Sequence, residues 1–182
     1  NSSLAQGGIA ACIKDDDKYS IHMEDTMAAG SKINDLTKLN KLVKDAPKDI
    51  ENLMEFGVEF DKDSEGNIRT TMEGGHSRRR VLHSGGDATG KEIIRALDKE
   101  VALRENIRVW DNTMAIELLK NGNKCVGVKV IKHSRLINVL SKATVIATGG
   151  IGEVYVNSTN SNIASGDGIA MGYRVGCNID NM

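Results

Sequence analysis

The chain has 182 residues, of which 40% are apolar and 27% charged, with 24 Lys and Arg against 25 Asp and Glu. This is the composition of a globular protein rather than a disordered one. A net charge of −1 and only 3% aromatic residues argue against a nucleic-acid partner, an anionic membrane surface or a base-stacking platform.

Cys12, Cys125 and Cys177 are far apart and form no CxxC, which speaks against a disulfide framework or zinc site and for a reducing, cytoplasmic setting. No apolar run approaches the ~18 residues of a membrane-crossing helix, and no signal peptide is evident. The first residue is not Met, and the last follows directly on a predicted helix. The expectation is a piece of a longer protein.

Residues 1–11, NSSLAQGGIAA, read as a small, polar loop whose Gly7-Gly8 pair suits a turn with exposed N–H groups. Asp15-Asp16-Asp17 lacks the glycine and distal Glu of a calcium loop and reads as a solvated turn. Across residues 22–57, Ile33, Leu36, Leu39, Val43, Ala46, Ile50, Leu53 and Met54 recur in three- and four-residue steps, which predicts a helical layer. Asn34 is the expected N-cap, Asp45-Ala46-Pro47 a break and restart, and Gly57 a stop. Residues 58–71 predict a hairpin turning at 63–67.

Residues 72–90, MEGGHSRRRVLHSGGDATG, put five glycines among two histidines, a glutamate, an aspartate and three arginines. Such density beside flexible backbone predicts a site-lining loop. Glu73 and His76 could move protons or orient substrate, and Arg78 to Arg80 could include a carboxylate clamp; a surface loop with an Arg–Glu pair is the plain alternative.

An amphipathic helix is predicted over residues 89–104, with Ile93, Leu97 and Val101 on one stripe and Asp87 or Thr89 as cap. Short strands follow at 107–110, 113–119, 125–132 and 136–140, with Asn121-Gly122 marking a hairpin. Together they predict an antiparallel meander over about 113–142. Val145-Ile146-Ala147 then reads as a buried central parallel strand, opening at Thr148-Gly149-Gly150 into a ligand loop. A helix restarts at Ser165-Gly166-Asp167-Gly168, and glycines recur at 168, 172 and 176. Mid-helix glycines each cost roughly 1 kcal/mol, so this row implies close approach, either to a cofactor or to a neighbouring element. The stretch 143–176 is predicted as one wall of the site. The fold class expected is α/β.

Three segments, AQGGIAA (5–11), EGGHSRRRVLHSGGDATG (73–90) and ATGG…SGDGIAMGYRVG (147–176), occur here in one order. In that order and spacing the chain resembles the flavoprotein subunits of the succinate dehydrogenase and fumarate reductase family, over essentially its whole length. The resemblance implies a Rossmann-like FAD-binding domain with an inserted antiparallel β-meander. Residues 1–182 would be part of that domain, without the N-terminal GxGxxG unit and the capping domain. It implies FAD contacts at Asn1, Ser2, Ser3, Leu4, Ala5, Gln6, Gly7 and Gly8, and at Ala115, Thr148, Gly149, Gly150 and Asp167. Glu73 matches a glutamate that handles a substrate amino group, with His76 and Arg79 nearby. Met72 and Ser161 depart from the pattern, standing where Arg and Pro are common.

The implied reaction is FAD-dependent oxidation of L-aspartate to iminoaspartate, the first step of the quinolinate route to NAD. Oxygen or fumarate would be the acceptor and quinolinate synthase a partner. A fumarate- or succinate-active flavoprotein and a non-catalytic nucleotide-binding domain are the alternatives. Glu73 favours the amino-acid substrate, because a dicarboxylate without an amine gives it no partner.

Overall fold

A computed structural model describes residues 2–180, which fall into two compact units, Ser2–Ile107 and residues 108–180. In the first, a 3₁₀ turn (Ser2–Leu4) leads to β1 (Ile9–Ala10), α1 (Tyr19–Ala29), α2 (Leu36–Glu55), β2 (Thr70–Thr71), β3 (Val81–Leu82) and α3 (Thr89–Ala102). The three short strands form one antiparallel sheet in the order β1-β3-β2. Leu82 faces Ile9 on one side and Thr70 on the other. The core lies where α2 and α3 meet this sheet: Ile50, Ala96, Leu82, Ala11, Val58 and Phe60 are all buried together.

The helical layer departs from the sequence reading in three places. Asp35, not Asn34, caps α2, accepting from the N–H groups of Thr37 (2.9 Å) and Lys38 (3.1 Å). No break occurs at residues 45–47: α2 runs through Pro47. Its buried stripe Leu39, Val43 and Ile50 spans the proline on both sides, and that packing outweighs one lost backbone bond. The cap of α3 is Ala88 rather than Asp87 or Thr89, because the Thr89 hydroxyl is buried and accepts from the Ser84 N–H at 3.2 Å. Gly57 stops α2 as expected. It has φ +89°, and Gly57 and Val58 donate back to Met54 (2.9 Å) and Leu53 (3.0 Å), closing the last turn with a left-handed residue.

The hairpin turn at 63–67 forms, with Asp63 N–H bonded to the Asn67 carbonyl at 2.9 Å and a bridge between Lys62 and Ile68. Within the predicted loop 72–90, however, lies β3, the central strand of the sheet. Two residues are too few to show alternation, so periodicity did not reveal it.

The second unit holds β4 (Thr113–Asn121), β5 (Lys124–Lys132) and β6 (Arg135–Leu140), an antiparallel meander, then a 3₁₀ turn (Gly152–Val154) and α4 (Asp167–Arg174). The meander matches its prediction, with Gly122 at φ +58° in the first turn. Residues 107–110 are not a strand. Neither are residues 143–148, which pair with no described strand, and Val145 is 88% exposed. All the paired strands are antiparallel, so a central parallel strand is absent among the described residues. An apolar run predicts burial only where neighbouring strands are present to cover it.

Gly168 settles one alternative. A Cβ there would overlap Thr148 Oγ1 and sit 2.8 Å from Ile146 Cγ2. The close-approach face of α4 therefore meets the segment 146–148. Gly172 has its nearest neighbour, Ile146 Cδ1, at an ordinary 3.6 Å. Gly176 has φ +90° and ends the helix, with Cys177 and Gly176 donating back to Gly172 and Tyr173 at 3.0 Å each.

Candidate functional site

The candidate residues divide between the two units. In the first, Ser2, Ser3, Leu4, Ala5, Gln6 and Gly7 are exposed and Gly8 is half-buried; Asn1 lies outside the described residues. This loop is latched to the start of α3 by the Gly90 N–H, which donates to the Ala5 carbonyl at 3.0 Å. Gly90 allows that contact, since a Cβ there would overlap the Ser2 carbonyl and come within 2.8 Å of Ala5 Cβ. Gly8 is held just as closely on its other side: a Cβ would lie 2.5 Å from Val81 Cγ1 and 2.9 Å from His83 Cε1. A Cβ at Gly7 would meet nothing within 4 Å. Among the described residues, the N–H groups of Gln6, Gly7 and Gly8 have no hydrogen-bond partner.

Glu73 lines a cavity of about 330 Å³ together with Asp61, Arg69, Thr71, Met72, His83 and Gly86. Its Oε1 lies 2.7 Å from His83 Nε2. That nitrogen is also 3.1 Å from Thr71 Oγ1, whose own hydroxyl is 3.4 Å from the Val81 carbonyl. His83 Nδ1 is buried with no partner among the described residues. Two wider clefts, of about 980 and 790 Å³, contain none of the candidate residues.

The other two predicted catalytic residues do not join Glu73. His76 is half-buried and its Nδ1 lies 3.3 Å from Arg80 Nη1. Arg79 is exposed and makes no ion pair among the described residues. The arginine run does contain a carboxylate clamp, but it grips the chain's own acids. Arg80 is fully buried and bonds Asp17 through Nε (2.6 Å) and Nη2 (2.8 Å), and Asp25 through Nη1 (2.5 Å). Asp17 is therefore not part of a solvated turn, as its sequence neighbours suggested: its side chain is 2% exposed.

Charge and burial tune this cluster. The Arg80 hydrogen bond holds Asp17 at a pKa of about 2 against the opposing effect of its burial. Burial pushes Asp25 up, but the Ser77 N–H, Arg80 and the Ser77 hydroxyl together bring it below its ordinary value. Burial, then the Arg80 and His76 charges, lower His22, whose ring centre is 5.8 Å from that of His76. Cys12, 3.7 Å from His22 Nδ1, is pushed up to about 12 by burial and by Asp17, so it is an inert thiol rather than a nucleophile.

Sequence reading also missed Asp61. Its two carboxylate oxygens accept the N–H groups of Gly85 (2.8 Å) and Gly86 (3.0 Å), both at positive φ. Consecutive left-handed residues form a nest of N–H donors, and here the chain fills it with its own acid. The signal available was the second Gly-Gly of the loop, but nothing in the sequence named the distant partner. His83 lies within the predicted site-lining segment, but nothing in the sequence distinguished it from its neighbours.

In the second unit, Ala115 is a half-buried residue of β4 opposite Val130, just before an irregularity in the ladder. Thr148, Gly149 and Gly150 are exposed, with Gly149 at φ +76°. The Gly150 carbonyl accepts the Gly166 N–H at 3.2 Å. Asp167 is the first residue of α4, where the helix dipole favours a negative charge, and its Oδ2 accepts the Ser165 hydroxyl at 2.9 Å. The N–H groups of Thr148, Gly149 and Gly150 have no partner among the described residues.

Each unit thus offers a glycine loop with small side chains and free backbone donors, a donor set that fits the phosphates and polar ring edge of a dinucleotide. The chain belongs to the FAD binding domain family, which matches residues 1–182, and FAD is the cofactor that family membership assigns. Among individual proteins, the chain is 37% identical to the L-aspartate oxidase of Streptomyces coelicolor, over 98% of this chain and 32% of that protein. It is similar in structure to Mycobacterium smegmatis Sdh1 in complex with UQ1, with a TM-score of 0.90 and 31% identity over 96% of this chain and 32% of the other. E. coli quinol fumarate reductase gives a TM-score of 0.91 and 26% identity over 95% of this chain and 30% of its own. The chain spans about a third of the length of these relatives.

Proposed function

We propose that this chain is the flavin-holding and amine-handling part of an enzyme that oxidises L-aspartate to iminoaspartate, with oxygen or fumarate as the acceptor and quinolinate synthase consuming the product. The observation that carries the reading is Glu73, a carboxylate that lines a 330 Å³ cavity together with Arg69. An amino dicarboxylate needs an acid for its ammonium and a cation for a carboxylate. The similarity to L-aspartate oxidase over nearly the whole chain supports that choice.

FAD, when bound, supplies the acceptor for the two electrons released at the substrate Cα. The chain's own residues do the rest. In the first unit the free N–H groups at 6–8, and in the second those at 148–150 with Asp167, are the groups that would hold polar parts of the cofactor. Glu73 binds the substrate ammonium and takes its proton, because the amine must be neutral before the Cα–H bond breaks. Arg69, which lines the same cavity, orients a substrate carboxylate. Residues 143–148, without a ladder partner, supply the central strand of the Rossmann-like sheet in the whole domain.

The test is turnover by the full-length, FAD-loaded protein, followed by peroxide formation or fumarate reduction. L-aspartate is expected to be oxidised and Glu73→Gln to slow that oxidation about a hundredfold or more. A properly folded full-length protein that is colourless, or that oxidises succinate in preference to L-aspartate, overturns the reading. The similarity to E. coli quinol fumarate reductase makes a succinate- or fumarate-active flavoprotein the second reading, and the same comparison of substrates decides between them.

A further inference from the structure

His83 has no role in the reading so far, yet it makes the only side-chain hydrogen bond or ion pair of the Glu73 side chain among the described residues. The hydrogen-bond network fixes how it does so. Thr71 Oγ1 directs its hydroxyl proton to the Val81 carbonyl (3.4 Å), leaving a lone pair toward His83 Nε2 at 3.1 Å. Glu73 Oε1 faces the same nitrogen at 2.7 Å. Two acceptors meeting at Nε2 assign the ring proton to it. Nδ1, buried and without a partner, is then a bare lone pair, which costs less than a buried N–H with no acceptor. Gly8 borders the ring on its Cε1 side, where a Cβ would lie 2.9 Å from Cε1.

We propose that His83 is a positioning residue for the amine-handling carboxylate. Its Nε2–H fixes Oε1 of Glu73, so that Oε2 is presented to the ammonium group of an amino dicarboxylate in the cavity. The inference rests on the reading that Glu73 meets the substrate amine. It adds the group that orients Glu73, a half-exposed glutamate on a glycine loop.

The experiment uses the full-length, FAD-loaded enzyme with Glu73→Gln, His83→Gln, His83→Asn and the double variant E73Q/H83N. A glutamine amide reaches the place of Nε2 and still donates, whereas an asparagine amide ends near Nδ1. Three quantities are measured: anaerobic flavin reduction by L-aspartate, the Kd for fumarate bound to the oxidised enzyme, and FAD content. Fumarate is a dicarboxylate without an amine and does not need Glu73.

His83→Asn is expected to lower the rate of reduction by L-aspartate about tenfold or more, with fumarate Kd and FAD content within about twofold of wild type. His83→Gln should recover most of that loss. The double variant should be no slower than Glu73→Gln, since His83 acts only through the carboxylate. Equal rates for the Asn and Gln variants, parallel losses in fumarate binding, or multiplicative losses in the double variant would each overturn the proposal. So would a His83→Asn enzyme as fast as wild type while Glu73→Gln is strongly slowed, and that result leaves the aspartate reading standing. A wild-type enzyme that L-aspartate does not reduce removes the reading and this inference together.

Discussion

Arg80 holds Asp17, 63 residues earlier in the chain, through two hydrogen bonds of 2.6 and 2.8 Å in a site where both side chains are almost wholly buried. The same guanidinium reaches Asp25 of α1 and His76 of the loop that carries Glu73. One arginine thus ties the acidic turn, the first helix and the site loop into one cluster.

Removing it leaves two buried acids without a cation. Breaking one side of a buried ion pair costs about 3–5 kcal/mol, so Arg80→Met is expected to lower stability by that order, read as a shift of the urea midpoint. Arg80→Lys should recover little, because an ammonium cannot bond Asp17 and Asp25 in a fork. The exposed Arg79→Met provides the control and should change stability by no more than about 0.5 kcal/mol.

The same cluster gives stability a defined pH dependence. Asp17 has a folded pKa of about 2 against an ordinary 3.8, lowered chiefly by Arg80. The unfolded chain therefore binds the proton first as pH falls. The stabilisation is complete above about pH 4 and is lost as pH falls toward 2. Asp25 acts in the same direction. His22, lowered from 6.5 mainly by burial, also takes up its proton later in the folded state, so its stabilisation starts to fade below pH 6.5. Urea midpoints measured from pH 7.5 downward should fall in two stages. His22→Gln should flatten the first and Asp17→Asn the second. A midpoint that rises on acidification would contradict both assignments.

Glycine periodicity was legible in the sequence, but its meaning was not. The row 168, 172, 176 looked uniform, yet Gly168 faces Thr148 and Ile146, Gly172 has room, and Gly176 is a left-handed stop. Long helices and the meander were readable because their periods extend over many residues. Two-residue strands such as β3, and pairings as distant as Arg80 with Asp17 or Asp61 with Gly85-Gly86, depend on tertiary contacts that leave no local pattern. Within the site, Glu73 was recognisable from its motif, whereas His83 became visible only through the 2.7 Å contact.

The three glycines should accordingly respond differently to alanine. Gly168→Ala drives a methyl into Thr148 and should cost about 1–3 kcal/mol, as overpacking does. Gly172→Ala meets nothing closer than 3.6 Å and should stabilise α4 by up to about 1 kcal/mol through helix propensity. Thermal denaturation of the pair separates them by sign. Equal effects would mean that α4 does not rest on residues 146–148.

The turn joining β5 to β6 offers a test in the stabilising direction. His133 and Ser134 both occupy the left-handed region, at φ +48° and +59°, between the paired residues Lys132 and Arg135. Two consecutive left-handed residues make the tight turn whose twist suits a hairpin, and Asn-Gly is the pair that adopts it at least cost. Ser is not among the residues that visit this region readily. Replacing His133-Ser134 by Asn-Gly should relieve about 0.5–1 kcal/mol of backbone strain, seen as a higher melting temperature with the meander's circular dichroism unchanged. The opposite change at the first turn, Gly122→Val, puts a β-branched residue at φ +58° and should cost about 1–2 kcal/mol. If both substitutions move the melting temperature the same way, the left-handed geometry of these turns is wrong.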